Sequence, residues 1–225
     1  MAATTSAGAG TTAGLYIDGR WIDTNRHFTR TNPARPSEVV GRSALASADD
    51  VAAAYDAAER AARPWARTPA PQRAEPLLRA AALVAERATE IARTLTLEEG
   101  KATRDARGEV LRAAAILRFH AGECMQPIGD VFDSAVENTM IQTVRKPLGP
   151  IAVITPWNFP IAIPAWKIAP ALAYGNTVVW KPAEIASGTA ALLAGCLDDA
   201  GLPAGVLNLV TGRGREIGDA IVGDP

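Results

Sequence analysis

The sequence predicts an α/β fold: a parallel sheet with flanking helices, preceded by a mainly helical region and a small projecting β arm. Three observations carry this reading. From Gly149 onward, short apolar runs at 151–154, 177–180 and 206–210 alternate with helical segments near 161–174, 188–200 and 215–222. Runs apolar at every position suit strands buried on both faces. Before that, from about 47 to 124, apolar residues recur every three or four positions, the period of helices with one buried stripe. Between the two regions, 130–147 is rich in β-favouring residues such as Val131, Phe132, Val136, Ile141 and Val144.

Size and composition bound the answer. At 225 residues, the chain is one large domain or one and a half, so an incomplete domain is an open reading. Hydrophobic residues make up 48% of it, enough for a substantial core. A net charge of -1 excludes an electrostatic basis for binding nucleic acid or an anionic membrane. Cys124 and Cys196 are 72 positions apart, with no paired spacing for a disulfide framework or metal site, and a reducing, cytoplasmic location follows as the expectation. No signal peptide is evident, and no apolar run reaches the ~18 residues of a membrane span.

Taken in order, residues 1–14 are small and polar and read as a disordered tail. In 15–23, Asp18-Gly19 between apolar residues predicts a hairpin, because both turn positions accept positive φ. Thr31-Asn32-Pro33 reads as a loop. Ser47 with Asp49 and Asp50 predicts a helix start, and Pro64, Pro69 and Pro71 predict the break after it. One helix is expected over 72–97, with Leu77, Val84, Ile91 and Leu95 inward, Pro76 in its first turn or kinking it, and Gly100 as its stop. A third, near 102–124, turns Val110, Ala114, Leu117 and Ala121 inward and shows no chemistry. Glu98-Glu99 and Asp198-Asp199 read as solvated helix charges, and His27 and His120 have no evident partner.

Three strand–helix units in series imply right-handed crossovers and an incomplete Rossmann-like sheet, with an exposed edge after 206–210. Ligands bind beyond the carboxyl ends of such strands. The loop Thr155-Pro156-Trp157-Asn158-Phe159-Pro160 holds an amide between two prolines, able to donate to an oxygen gaining negative charge. The alternative is an Asn that satisfies turn backbone groups. Lys181-Pro182-Ala183-Glu184 can bracket a ribose, or form a surface ion pair of small value. Gly212, Gly214 and Gly218 resemble a dinucleotide fingerprint but are spaced one residue too wide.

Residues 149–184, GPIAVITPWNFPIAIPAWKIAPALAYGNTVVWKPAE, resemble the cofactor-binding core of the aldehyde dehydrogenase superfamily. PAGVLNLVTGRG at 203–214 continues the likeness, and 15–148, with NPARPSEVVG and EEGKATRDARGEV, resembles that family's N-terminal part. The wording is most like semialdehyde-type members such as α-ketoglutaric semialdehyde dehydrogenases. The resemblance implies that Asn158 donates to the substrate oxyanion, with Thr155, Pro156 and Trp157 lining the cofactor. It implies that Lys181, Ala183 and Glu184 meet the adenosine ribose, that Gly214 lies against the adenine side, and that Lys167 lies near the active site. A Glu at 184 favours NAD over NADP, because its charge repels a 2′-phosphate. The 130–147 strands correspond to the family's oligomerisation arm, which makes the full-length protein a homo-oligomer. The family's nucleophilic cysteine and base glutamate are expected beyond Pro225, leaving this chain inactive by itself. The alternative is a non-catalytic nucleotide-binding or interaction module derived from the family.

Overall fold

The structure, a computed structural model, describes residues 11–223. Residues 1–10 of the expected tail lie outside that range, but the rest of it is ordered: β1 (Thr11–Ala13) pairs in parallel with Gly41–Ser43. The expected hairpin follows as β2 (Leu15–Ile17) and β3 (Arg20–Ile22), with Asp18 and Gly19 at φ 52° and 73°. A second hairpin, β4 (His27–Asn32) and β5 (Arg35–Ala44), stands where the sequence reading had only a loop at 31–33. Its strands are partly exposed, carry Arg30, Arg35, Glu38 and Arg42, and slip register between Arg30 and Asn32. No strict alternation of apolar and polar residues betrays them.

Helix α1 (Ala48–Arg67) starts as expected, on a capping box between Ser47 and Asp50. Pro64 sits inside its last turn instead of breaking it. The single helix expected over 72–97 is two, α2 (Ala70–Glu86) and α3 (Ala88–Glu99), with Pro76 buried inside α2. The chain turns at Arg87, whose guanidinium is held 2.7 Å from Asp199, and both helices pack on 187–199. Gly100, at φ 86°, ends α3. Helix α4 (Thr103–Glu123) buries Val110, Ala114, Leu117 and Ala121. Strands β6 (Val131–Asp133) and β7 (Met140–Gln142) pair only with each other and are exposed throughout, a projecting arm.

The remainder alternates: β8 (Pro150–Ile154), α5 (Ala162–Ala173), β9 (Thr177–Lys181), a short 3₁₀ turn at Glu184–Ala186, α6 (Ser187–Asp199), β10 (Leu207–Leu209) and α7 (Gly214–Val222). The central sheet runs β3-β2-β10-β9-β8, with β8, β9 and β10 parallel. The edge expected to be bare after 206–210 is occupied by β2, antiparallel to β10. Leu15, Tyr16 and Ile17 are all buried there, and the Tyr16 hydroxyl and Trp21 indole both donate to Asp198, at 2.8 and 3.3 Å. The open parallel edge is instead β8, where Ile154 is 49% exposed, so that strand is not buried on both faces.

Alternate residues of β9 feed two cores. Val178 and Trp180 join the helical side built by α2 to α6, whereas Val179 packs with Leu15, Val51, Ala54, Val210 and Ile217 under α1 and α7. Among the described residues no helix is long and apolar enough to cross a membrane.

Candidate functional site

Loops 155–160, 181–187 and 211–213 follow the carboxyl ends of β8, β9 and β10, and therefore share one edge of the sheet. Backbone and side-chain bonds tie them to each other. Thr155 N–H donates to Lys181 O at 3.1 Å, and the Trp180 indole N–H donates to Thr155 Oγ1 at 2.9 Å. The third loop closes on the second through Gly214 N–H, which donates to Glu184 Oε1 at 3.2 Å. A Cβ at Gly214 would meet nothing within 4 Å, so the backbone there faces open space.

The predicted residues take different places within this frame. Thr155 is buried beneath the first loop, while Pro156, Trp157 and Asn158 project from it and are exposed. Lys181 is only 7% exposed and donates to Pro182 O at 2.9 Å. Burial lowers its pKa, and the nearby Glu184 carboxylate opposes that shift. Ala183 and Glu184 are half-buried at the start of the 3₁₀ turn. Lys167 is exposed in the second turn of α5, beside the exposed Trp166. It lies on the helix and not in the loops.

Several acids read as solvated charges are anchors. Glu98 is 5% exposed; it forms a buried ion pair with Arg30 and accepts from the Gly188 and Thr189 N–H groups, each at 2.8 Å, at the start of α6. Glu109 and Lys101 do the same for α5. Glu109 Oε1 accepts from Ile161 N–H and Ala162 N–H at 3.0 and 3.1 Å, while Oε2 lies 2.5 Å from Lys101 Nζ. Lys101 Nζ also donates to Asn158 O at 2.7 Å and sits 4.3 Å from the centre of the Phe159 ring. Asp198 and Asp199 hold the hairpin and Arg87, as above. A signal for the two glutamates existed: each interrupts a buried apolar stripe, Ile91–Leu95–Glu98 and Ala106–Glu109–Val110–Ala113.

His27 pairs with Asp23 at 2.6 Å, away from these loops, and both ring nitrogens of buried His120 lack a hydrogen-bond partner among the described residues. The thiols are buried too. Cys124 donates to His120 O and Ala173 O, and burial raises its pKa; burial pushes Cys196 up to about 11.

A sheet in which β8, β9 and β10 are parallel, with helices on both faces and loops converging at their carboxyl edge, places the protein in the open α/β class, in which ligands bind at that edge. Within that class, the sequence model of the aldehyde dehydrogenase family matches residues 21–225, and the chain belongs to this family. It is 47% identical over 211 residues to an alpha-ketoglutarate semialdehyde dehydrogenase of Haloferax volcanii, covering 93% of this chain and 44% of that protein. It matches the crystal structure of an NAD-dependent aldehyde dehydrogenase from Sinorhizobium meliloti with a TM-score of 0.92 and 35% identity, over 95% of this chain and 43% of that one. An NADP-dependent glyceraldehyde-3-phosphate dehydrogenase from Bacillus halodurans C-125, complexed with NADP, matches with a TM-score of 0.91 and 33% identity, over 95% and 46%. The chain thus spans less than half the length of these relatives.

Proposed function

We propose that the chain supplies the cofactor cleft and the oxyanion donor of an NAD(P)-dependent aldehyde dehydrogenase that oxidises a semialdehyde to the acid, with NAD preferred. The observation that carries this reading is the joining of the three carboxyl-edge loops through Thr155, Lys181, Glu184 and Gly214. The residues present fit a dinucleotide. Glu184 Oε1 already accepts a backbone N–H from the third loop, so its carboxylate is held at the mouth of the cleft with capacity to accept from a ribose diol. The open space at Gly214 lets a flat ring approach the backbone. Lys181 adds a buried ammonium beside the carboxylate.

The bound nicotinamide would supply the hydride acceptor. This chain's residues bind, orient and stabilise. The exposed Asn158 amide donates to the substrate oxygen as it gains negative charge. Glu184 disfavours a 2′-phosphate by like charge. Lys167 is a further candidate near the reacting centre. Neither thiol is placed as a nucleophile: both are buried, with pKa values raised above the usual thiol range. We therefore infer that the attacking thiolate lies outside these 225 residues. The exposed strands β6 and β7 suit pairing between subunits. Free, unpaired thiols suit a reducing cytoplasm.

The test is steady-state reduction of NAD by the complete gene product with a semialdehyde. Asn158→Ala should lower kcat by about 10²–10³, as for loss of one oxyanion donor, and leave the KM for NAD nearly unchanged. A fall of less than tenfold removes Asn158 from the mechanism.

A further inference from the structure

We propose that Lys101 and Glu109 are positioning residues for Asn158, fixing the loop that presents its amide; this rests on the oxyanion reading above. Residues 156–159 are all exposed, and the prolines at 156 and 160 donate no backbone N–H. The loop therefore has few bonds of its own with which to hold a side chain. Helix α5, which follows it, has no side-chain cap from its own N-terminal residue. Its first N–H groups have no partner within the helix and require acceptors from elsewhere.

Glu109 provides them. Its side chain is 2% exposed, and one oxygen takes both Ile161 N–H and Ala162 N–H. The other oxygen meets Lys101, whose ammonium reaches the carbonyl of Asn158 itself and the face of Phe159. A single charge-assisted chain thus runs from the first turn of α5, through Glu109 and Lys101, to the peptide of Asn158. It grips the loop at its middle and at its end. Charge-assisted hydrogen bonds are roughly twice as strong as neutral ones; here the Glu109 end of the chain is buried and the Asn158 end is open to solvent. Glu99, 3.5 Å from the same ammonium and shielded from solvent, adds a second carboxylate to the cluster. Displacing a catalytic group by ~1 Å can cost on the order of 10²-fold in rate, so a fixed loop has catalytic value even though Lys101 touches no reacting atom.

The test is a double-mutant cycle in the complete gene product, with hydrogen exchange measured on the same protein. Lys101→Met keeps the stem and removes the charge. It should lower kcat by roughly tenfold or more, with the KM for NAD held within about twofold. Lys101→Arg should recover most of the loss, since it also donates to both oxygens. In the Asn158→Ala background, Lys101→Met should cost less than about twofold more, because residues acting as a unit are not additive. The amides of Ile161 and Ala162, held by Glu109, should exchange faster in Lys101→Met and in Glu109→Gln, while those of β9 stay protected.

A silent Lys101→Met, or one that costs as much without Asn158 as with it, overturns the proposal. So does exchange at Ile161 and Ala162 unchanged in both variants. If Asn158→Ala is itself silent while Lys101→Met is impaired, the oxyanion reading and this proposal fall together. If Asn158→Ala is impaired and Lys101→Met silent, only this proposal falls.

Discussion

Glu98, at the end of α3, and Glu109, in the second turn of α4, each turn a buried carboxylate onto two backbone N–H groups that begin another helix. The helices they serve, α6 and α5, each follow one of the loops of the proposed cleft. The two anchors differ in their cations. The Arg30 side chain facing Glu98 is 2% exposed, whereas the Lys101 side chain facing Glu109 is 15% exposed and extends to Asn158. The first anchor is closed within the core. The second has one end in the core and the other on the loop proposed to meet the substrate. Helix-starting carboxylates on the N-terminal helices thus serve the fold in one case and, on the proposed function, the fold and the site together in the other.

The sharpest way to break this comparison is to remove both carboxylates. Glu98→Ala leaves the Arg30 guanidinium buried without its carboxylate and should cost about 3–5 kcal/mol in urea unfolding. Glu109→Ala should cost less, because Lys101 can turn toward solvent, while its effect on turnover should be the larger of the two. Equal losses of stability would erase the distinction.

A second variant moves along the cleft. Glu184→Ser removes the proposed repulsion of a 2′-phosphate and should raise the kcat/KM ratio of NADP to NAD by about tenfold, equivalent to ~1.4 kcal/mol. An unchanged ratio would detach Glu184 from cofactor choice.

The smallest expected effect contrasts Glu109 with a buried polar residue on the same helix, His120, whose ring nitrogens lack a hydrogen-bond partner among the described residues. His120 has its pKa lowered below 6.5 by burial, against the opposing pull of Glu123. A base whose folded pKa is depressed stays neutral in the folded state while the unfolded chain takes up protons. Stability should therefore decline as pH falls below about 6.5, and His120→Phe should flatten that part of the pH profile. An identical slope in the variant would assign the acid sensitivity elsewhere.

What the sequence revealed depended on how local each signal was. Asp18-Gly19, the helix start at Ser47, Gly100 and the all-apolar run of β9 are local, and the structure holds each as expected. β1 and the pairing of β2 with β10 depend on partners 30 and 193 positions away, whereas the β4–β5 hairpin is local but carries no alternating pattern to reveal it. The split at Arg87 follows from tertiary bonds to α6 and not from any helix breaker. The position of the three carboxyl-edge loops was legible because strand–helix alternation places them. Glu98 and Glu109 were visible only as charges within apolar stripes, and their acceptor role emerged once α5 and α6 were brought against them.

The central claim is that Asn158 and the Lys181–Glu184 pair face one nucleotide. A crystal structure of the complete gene product with NAD tests it most directly. The account predicts the adenosine ribose within hydrogen-bond distance of Glu184 and Lys181, with the nicotinamide end toward Asn158. A dinucleotide bound away from the carboxyl edge of β8–β10, or one reaching only one of the two groups, would contradict it.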